Sequence, residues 1–201
     1  MSARAPLTVL LLLLLAGGLA TGCGSGASVQ TRAEAPTCQT RAAWQRLADR
    51  IHATVLCPTW MPTPIDARIG GDYSNGVSVK PSRSYLVSFL WHESDGSAEV
   101  HVNFRGYPGR TAIPRCLRPT GSKSVEAPCF SDPHGTITLD GHTATLYTAN
   151  LDADQWHVLY AWRQNGSLYT ASMHVAAPYE YARAVTAIRH VARSLIPIRP
   201  R

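Results

Sequence analysis

The sequence predicts an α+β domain in which an antiparallel sheet of several hairpins is preceded by one helix and followed by another. Two turns carry this prediction, since apolar runs flank Asp140-Gly141 and again Asn165-Gly166. Asp-Gly and Asn-Gly between such runs are strong signals for a two-residue hairpin loop. Amphipathic segments before and after the strands supply the helices. The predicted order is therefore helix, strands, helix.

The first helix is predicted over residues 41–53. Its apolar and charged side chains recur on opposite helical faces: Trp44, Leu47, Ala48 and Ile51 against Arg46, Asp49 and Arg50. Thr40 is the expected N-cap, because its hydroxyl can accept a bond from a free backbone N–H. Pro58 and the prolines that follow it prevent further helix, so an extended segment at a sheet edge is expected there.

Two strands are predicted next, at residues 85–91 and 98–105. The second alternates apolar with polar side chains: Val100, Val102 and Phe104 against Glu99, His101 and Asn103. Such alternation predicts one buried and one solvated face. Residues 92–97, which contain Asp95-Gly96, form the expected turn.

The Asn165-Gly166 turn also predicts the register of its hairpin. It places three pairs opposite each other on one face: Trp162 with Tyr169, Tyr160 with Ala171, and Val158 with Met173. Aromatic and aliphatic cross-strand pairs of this kind indicate a core face.

The same register places His157 opposite His174 on the other face. Two imidazoles can share a divalent metal ion, but two ligands do not complete a site. His101 would add a third if its strand neighbours this hairpin. We therefore treat His101, His157 and His174 as candidate metal ligands, with a solvated histidine pair as the alternative.

The last helix is predicted to open at Pro178, because a proline in the first helical turn loses no hydrogen bond. Apolar residues then recur at helical spacing and arginines oppose them: Tyr181, Val185, Ile188, Ala192 and Leu195 against Arg183, Arg189 and Arg193. Pro197 is expected to end this helix, which should lie across the sheet.

Residues 105–135 form the least regular segment, which contains five prolines and is rich in arginine. Long loops in a folded domain are usually functional or disordered. The candidate partner-binding residues are Arg110, Arg115, Arg118 and Lys123. The alternative is a cross-linked loop with no binding role.

The N-terminus contains an apolar run that ends in small residues and a cysteine. An apolar run at residues 7–20 is too short to span a membrane comfortably and ends in Ala20-Thr21-Gly22-Cys23. This ending resembles the lipobox, in which the peptide is cut before a cysteine that receives lipid. The resemblance implies a signal peptide at 1–22, lipid on Cys23 and a location on the outer face of the cytoplasmic membrane. Residues 23–36 are small and polar, as in a flexible tether, and 37–201 form the single domain.

Four further cysteines remain for disulfide bonds: Cys38, Cys57, Cys116 and Cys129. An even number in an exported chain indicates two disulfides, and four cysteines allow three pairings. The local pairing of Cys116 with Cys129 would close the proline-rich loop and leave Cys38 for Cys57. Their spacing does not resemble a zinc site.

Composition and motifs exclude several function classes. Hydrophobic residues make up 45% and charged residues 16% of the chain, which indicates a folded domain. The net charge of +6 is spread along the chain, so no nucleic-acid partner is expected. No nucleophile, phosphate-binding or paired-carboxylate motif is present, and Asp152 and Asp154 lack the further ligands of a calcium loop. We therefore expect neither an enzyme nor a cofactor.

Four turn and packing motifs recur together: the proline-rich entry segment, the hairpin at residues 140–144, the hairpin at residues 162–169, and Arg193-Ser194-Leu195. They resemble an uncharacterised α+β domain that occurs outside the membrane in bacterial anti-sigma regulators and in lipoproteins. The resemblance covers about half of the mature chain and implies the fold. It carries over no catalytic residue.

The leading functional hypothesis is a lipid-anchored, non-catalytic binding or scaffolding module for an envelope protein or a cell-wall polymer. The first alternative is a metal-binding protein or metal-dependent hydrolase that uses the three histidines. The second is a lipid or lipoprotein carrier that holds an acyl chain on the concave face of the sheet. The oligomeric state stays open.

Overall fold

A computed structural model of the chain describes residue 38 and residues 40–66, 70–149 and 154–201. The predicted signal peptide, Cys23 and the predicted tether lie outside this part. The described residues contain two helices, α1 (Arg41–Ile51) and α2 (Tyr181–Arg193). They also contain eleven strands: β1 (Val55–Pro58), β2 (Asp72–Val79), β3 (Tyr85–His92), β4 (Glu99–Tyr107), β5 (Arg115–Thr120), β6 (Lys123–Pro128), β7 (Phe130–Leu139), β8 (His142–Ala149), β9 (His157–Gln164), β10 (Ser167–His174) and β11 (Leu195–Ile198).

Seven strands form one antiparallel sheet in the order β2-β3-β4-β10-β9-β8-β7. The α+β class is confirmed, with one helix before and one after the strands of this sheet. The predicted register of the second hairpin is also confirmed, since Tyr169 pairs with Trp162 and Met173 with Val158. The strand order also places β4 directly beside β10, although the two strands are distant in sequence.

The core lies between the sheet and the two helices. On α1, Trp44 stacks on Phe89 at a centroid distance of 6.4 Å and meets the edge of Phe104 at 5.9 Å. Helix α2 packs on β9 and β10, where Ile188 and Val191 are fully buried. Full burial of an aliphatic side chain contributes roughly 1.5–3 kcal/mol, so these contacts fix both helices on one face of the sheet.

The ends of both helices differ from the prediction. Thr40 makes no side-chain capping bond, and α1 ends at Ile51 because His52 adopts a left-handed conformation with φ 47°. Glu180 occupies the N-cap position of α2 without a side-chain capping bond, so Pro178 precedes the helix instead of opening it. The helix stops at Arg193, and Leu195 begins a strand.

That strand, β11, pairs with β1 in a small separate sheet, with Leu56 opposite Pro197. The extended segment predicted at a sheet edge near Pro58 is present: it is β1, an edge strand of this small sheet. A two-stranded ribbon leaves one edge of each strand unpaired, so a proline without an N–H is tolerated there. Pro197 therefore lies within a strand instead of ending a helix.

The segment at residues 105–135 is regular, which corrects the prediction of an irregular loop. It contains the end of β4, the hairpin β5–β6 and the start of β7. The hairpin is a two-stranded sheet in which Pro119 faces Ser124, a position compatible with proline. Strand β7 passes Pro133 through two shifts of register opposite β8, as expected for bulges.

Both disulfide bonds are formed. Cys38 is bonded to Cys57, with Cα atoms 5.9 Å apart, and Cys116 to Cys129, with Cα atoms 4.9 Å apart. The first bond is buried in the core and ties the entrance of α1 to β1. The second ties the β5–β6 hairpin to the start of β7. Across the described residues, no helix has the length and apolar character needed to cross a membrane.

Candidate functional site

The three candidate histidines lie together on the face of the sheet opposite the helices. Pairing within the second hairpin places His174 opposite His157. Strand β4 flanks β10 with Val102 opposite Met173, so the next position brings His101 beside His174. Because side chains alternate along a strand, all three imidazoles project to the same side, away from the buried Val102 and Met173.

Glu99 joins this cluster from the start of β4. Its Oε1 atom lies 2.7 Å from Nδ1 of His174 and 3.8 Å from Nδ1 of His101. One ligand atom from each of these three residues lies within 4.8 Å of the other two. The polar pattern of β4 indicated Glu99 beside His101, but only the strand order shows that it contacts His174.

His157 packs against both other histidines but is not one of the three grouped ligands. Its ring lies parallel to His174 at a centroid distance of 5.1 Å and edge-on to His101 at 5.0 Å. Its Nδ1 atom lies 2.8 Å from the carbonyl oxygen of Gln155, which can only accept, so Nδ1 carries the proton. This bond fixes the orientation and the tautomer of His157.

Burial keeps the inner histidines neutral. Desolvation lowers the pKa of His157, which is 3% exposed, to about 4. Desolvation also lowers the pKa of His101, against the opposing charges of Glu99 and Asp154. Neutral imidazole is the form that binds metal ions, so the lowered pKa of His101 favours its ligating form near neutral pH.

A buried polar network borders the histidines and was missed by the sequence analysis. Asp154 accepts hydrogen bonds from Asn103 Nδ2 at 3.1 Å, Ser172 Oγ at 2.8 Å and Arg105 Nε at 2.7 Å. The sequence analysis considered Asp154 only as a calcium ligand, in a loop that lacks the further ligands needed. The alternation of side chains along β4 placed Asn103 and Arg105 on the same face as His101. That pattern was the one sequence signal for this polar network.

The predicted solvation of this face is wrong at Asn103, which is 1% exposed and hydrogen-bonded to the buried Asp154. The side chains of Glu99 and His101 are partly exposed, at 36% and 23%. Further along, the same side of the sheet carries a second apolar cluster: Phe130, Ala149, Leu159, Ala161 and Leu168. The histidine cluster therefore lies beside a buried apolar cluster on the same side of the sheet.

The predicted partner-binding residues lie in and beside the β5–β6 hairpin. Arg118 faces Val125 and Lys123 faces Thr120, so these two cations share one face of the ribbon. Arg115 lies on the other face, where its Nε atom is 3.2 Å from Glu126 Oε2. Arg110 precedes the hairpin and is exposed, while its carbonyl accepts a bond from the backbone N–H of Leu168.

The hairpin also exposes large apolar side chains. Leu117 is 67% exposed and Val125 is 48% exposed. Val125 lies on their shared face, directly opposite Arg118 and two residues from Lys123 along β6. The hairpin therefore presents a mixed basic and apolar surface on a ribbon held by the Cys116–Cys129 bond.

No protein family, no curated protein and no solved structure matches the chain. The functional assignment therefore rests on the residues of this chain.

Proposed function

We propose that the chain is a lipid-anchored binding module on the outer face of the bacterial cytoplasmic membrane. Cys23 carries the lipid, residues 23–36 form the tether, and the β5–β6 hairpin contacts an acidic surface of an envelope protein. The role is binding or scaffolding and not catalysis. The observation that carries the proposal is the exposed face formed by Arg118, Val125 and Lys123.

The hairpin suits a protein partner because it combines charge with exposed apolar area. Arginine is enriched among residues that dominate binding energy, and cations speed the encounter with an acidic surface. Val125 adds apolar contact beside Arg118 and Lys123. A cell-wall polymer rich in anionic groups would use the cations but gain little from Val125, so a protein is the favoured partner.

The disulfide bond that ties the β5–β6 hairpin to the start of β7 reduces the entropy lost on binding. The Cys116–Cys129 bond and the contacts of Arg115 with Glu126 hold the ribbon before any partner arrives. A surface ordered in advance loses less side-chain and backbone freedom on association. Two disulfides also fit an oxidising compartment outside the cytoplasm.

Crosslinking in intact cells tests the binding surface. The full-length chain is crosslinked in its own host, and captured species are identified by mass spectrometry. Charge reversal at Arg118→Glu with Lys123→Glu should remove one recurrent protein partner. The matched control is Arg46→Glu with Arg50→Glu, which reverses two exposed charges on α1 and should leave the capture unchanged.

An identical set of captured proteins from the hairpin variant and the natural chain would contradict the hairpin assignment. Recovery of glycan fragments alone would replace the protein partner with a wall polymer.

The anchor requires its own test. Labelling cells with a radioactive fatty acid should mark the natural chain and not a Cys23→Ala variant, and only the natural chain should remain with the membrane fraction. Equal labelling of the two chains would contradict lipid attachment at Cys23.

A further inference from the structure

We propose that Glu99, His101 and His174 bind a divalent transition metal ion of the zinc class. The Glu99 carboxylate oxygen lies between the two imidazole Nδ1 atoms, at 2.7 Å from His174 and 3.8 Å from His101. Ligand bonds to zinc are about 2.0–2.2 Å, so neighbouring ligands of a tetrahedral ion are about 3.3 Å apart. The observed distances lie on either side of that value. Nδ1 of His174 donates its proton to Glu99 in the metal-free arrangement, so binding of an ion at Nδ1 releases this proton.

The types of donor atom select the metal. Two imidazole nitrogens and one carboxylate oxygen suit Zn²⁺, Cu²⁺ and Ni²⁺. Calcium and magnesium prefer oxygen ligands throughout, and the two histidines supply none. Glu99 also contributes a negative charge, which partly balances the ion.

Neighbouring groups hold both histidines in position. His101 Nε2 lies 2.8 Å from Ser88 Oγ, so the outer nitrogen is engaged and Nδ1 is left on the side of Glu99. His174 is stacked on His157, whose own ring is fixed by the Gln155 carbonyl. Metal-binding histidines generally have their second nitrogen or their ring fixed in this way, and such partners raise metal affinity.

The three ligands are accessible from solvent. The side chains of His101, His174 and Glu99 are 23%, 25% and 36% exposed, respectively. An ion can therefore enter without unfolding, and three protein ligands leave a position for water or for another molecule. Sites that react with a bound molecule keep such an open position, whereas structural zinc sites are closed.

This site is independent of the proposed partner-binding surface. The ligands belong to β4 and β10, whereas Arg118, Val125 and Lys123 belong to the β5–β6 hairpin. Loss of metal binding would leave the hairpin proposal intact, and the reverse also holds.

Calorimetry with ZnCl₂ and with CuCl₂ tests the site on the untagged full-length chain after treatment with a chelator. We expect one equivalent of metal to bind, with Kd at least about 10-fold weaker in Glu99→Gln and in His174→Ala. The matched controls are Glu93→Gln and His134→Ala, which change the same residue types outside the cluster and should bind as the natural chain does.

A second readout separates metal ligation from damage to the fold. Co²⁺ bound by the natural chain should give the visible absorption of a low-symmetry site, and Glu99→Gln should weaken it while its circular dichroism stays unchanged. Failure of the natural chain to bind any of these ions would overturn the proposal. Equal affinities in the cluster variants and in the controls would overturn it as well.

Discussion

Arg105 and Asp154 form an ion pair in which Nε lies 2.7 Å from Oδ2 and the side chains are only 11% and 12% exposed. The pair joins the middle of β4 to the segment that precedes β9. Asn103 and Ser172 also donate to Asp154, so one carboxylate links that segment to two neighbouring strands. The network lies close to the histidine cluster, because Asp154 precedes His157 by three residues and accepts a bond from Asn103, two residues after His101.

Replacement of Asp154 by Asn should lower the free energy of unfolding by about 3 kcal/mol, since removal of one partner from a buried ion pair is strongly destabilising. Urea unfolding with both disulfides intact measures it. Asp72→Asn is the control, because Asp72 is 67% exposed in its pairing with His92 and should change stability by less than about 0.5 kcal/mol. Similar losses in the two variants would contradict a special role for the buried pair.

Acid should destabilise the domain through His157. Its folded pKa of about 4 lies below the unfolded value of 6.5, so its contribution is fully present above pH 6.5 and declines as the pH falls toward 4. The steepest expected slope is about 1.4 kcal/mol per pH unit. Desolvation is the largest cause of the lowered pKa of His157. The charges of His101 and His174 lower this pKa further, whereas the charge of Asp154 raises it.

The measurement is the free energy of unfolding against pH, with a chelator present. His157→Phe retains an aromatic ring and should show a shallower loss between pH 6.5 and 4 than the natural chain. Parallel curves for the two proteins would contradict the prediction.

Gly106→Ala should destabilise the domain by roughly 1–3 kcal/mol, because overpacking a dense core forces neighbours to move. A Cβ atom at this position would overlap the ring of Tyr85, which is 4% exposed. Gly76→Ala is the matched strand control, since its Cβ would lie 3.9 Å from the nearest atom, Ser88 Cβ. Thermal unfolding should separate the two variants, and equal melting temperatures would count against the close approach.

The two disulfides should contribute differently. Replacing Cys38 and Cys57 together by Ser should reduce global stability by about 2–5 kcal/mol, because both are buried in the core. Replacing Cys116 and Cys129 should instead make the exposed hairpin more sensitive to proteolysis, with a smaller effect on the melting temperature. Limited proteolysis with mapping of the cut sites distinguishes the two effects. Preferential cleavage near α1 in the variant that lacks Cys116 and Cys129 would contradict this prediction.

Local signals predicted the hairpins and their register because the determinants are adjacent in sequence. The Asn165-Gly166 turn alone places His157 opposite His174, and the structure agrees. Helical periodicity likewise located α1 and α2. Their ends were less predictable, since Leu195 fits the helical pattern of α2 but pairs in a strand.

Features set by distant segments could not be predicted in this way. Strand β2 is polar and exposed, as an edge strand can be, so residues such as Ser74 and Asn75 gave no alternating signal. The burial of Asn103 depends on Asp154, which lies 51 residues later. The contact between Glu99 and His174 depends on β4 lying beside β10, and sequence patterns do not specify strand order.

Strands β1 and β11 pair although they lie near opposite ends of the domain sequence. The fold is therefore incomplete until the last strand has been synthesised. During synthesis, Val55–Pro58 emerges long before Leu195–Ile198 is available to pair with it. Cys57 lies in β1, which has no partner strand during that time. Cys116 and Cys129 both emerge before β11 does. Until β11 arrives, the contacts available to β1 include those with α1 and the Cys38–Cys57 bond.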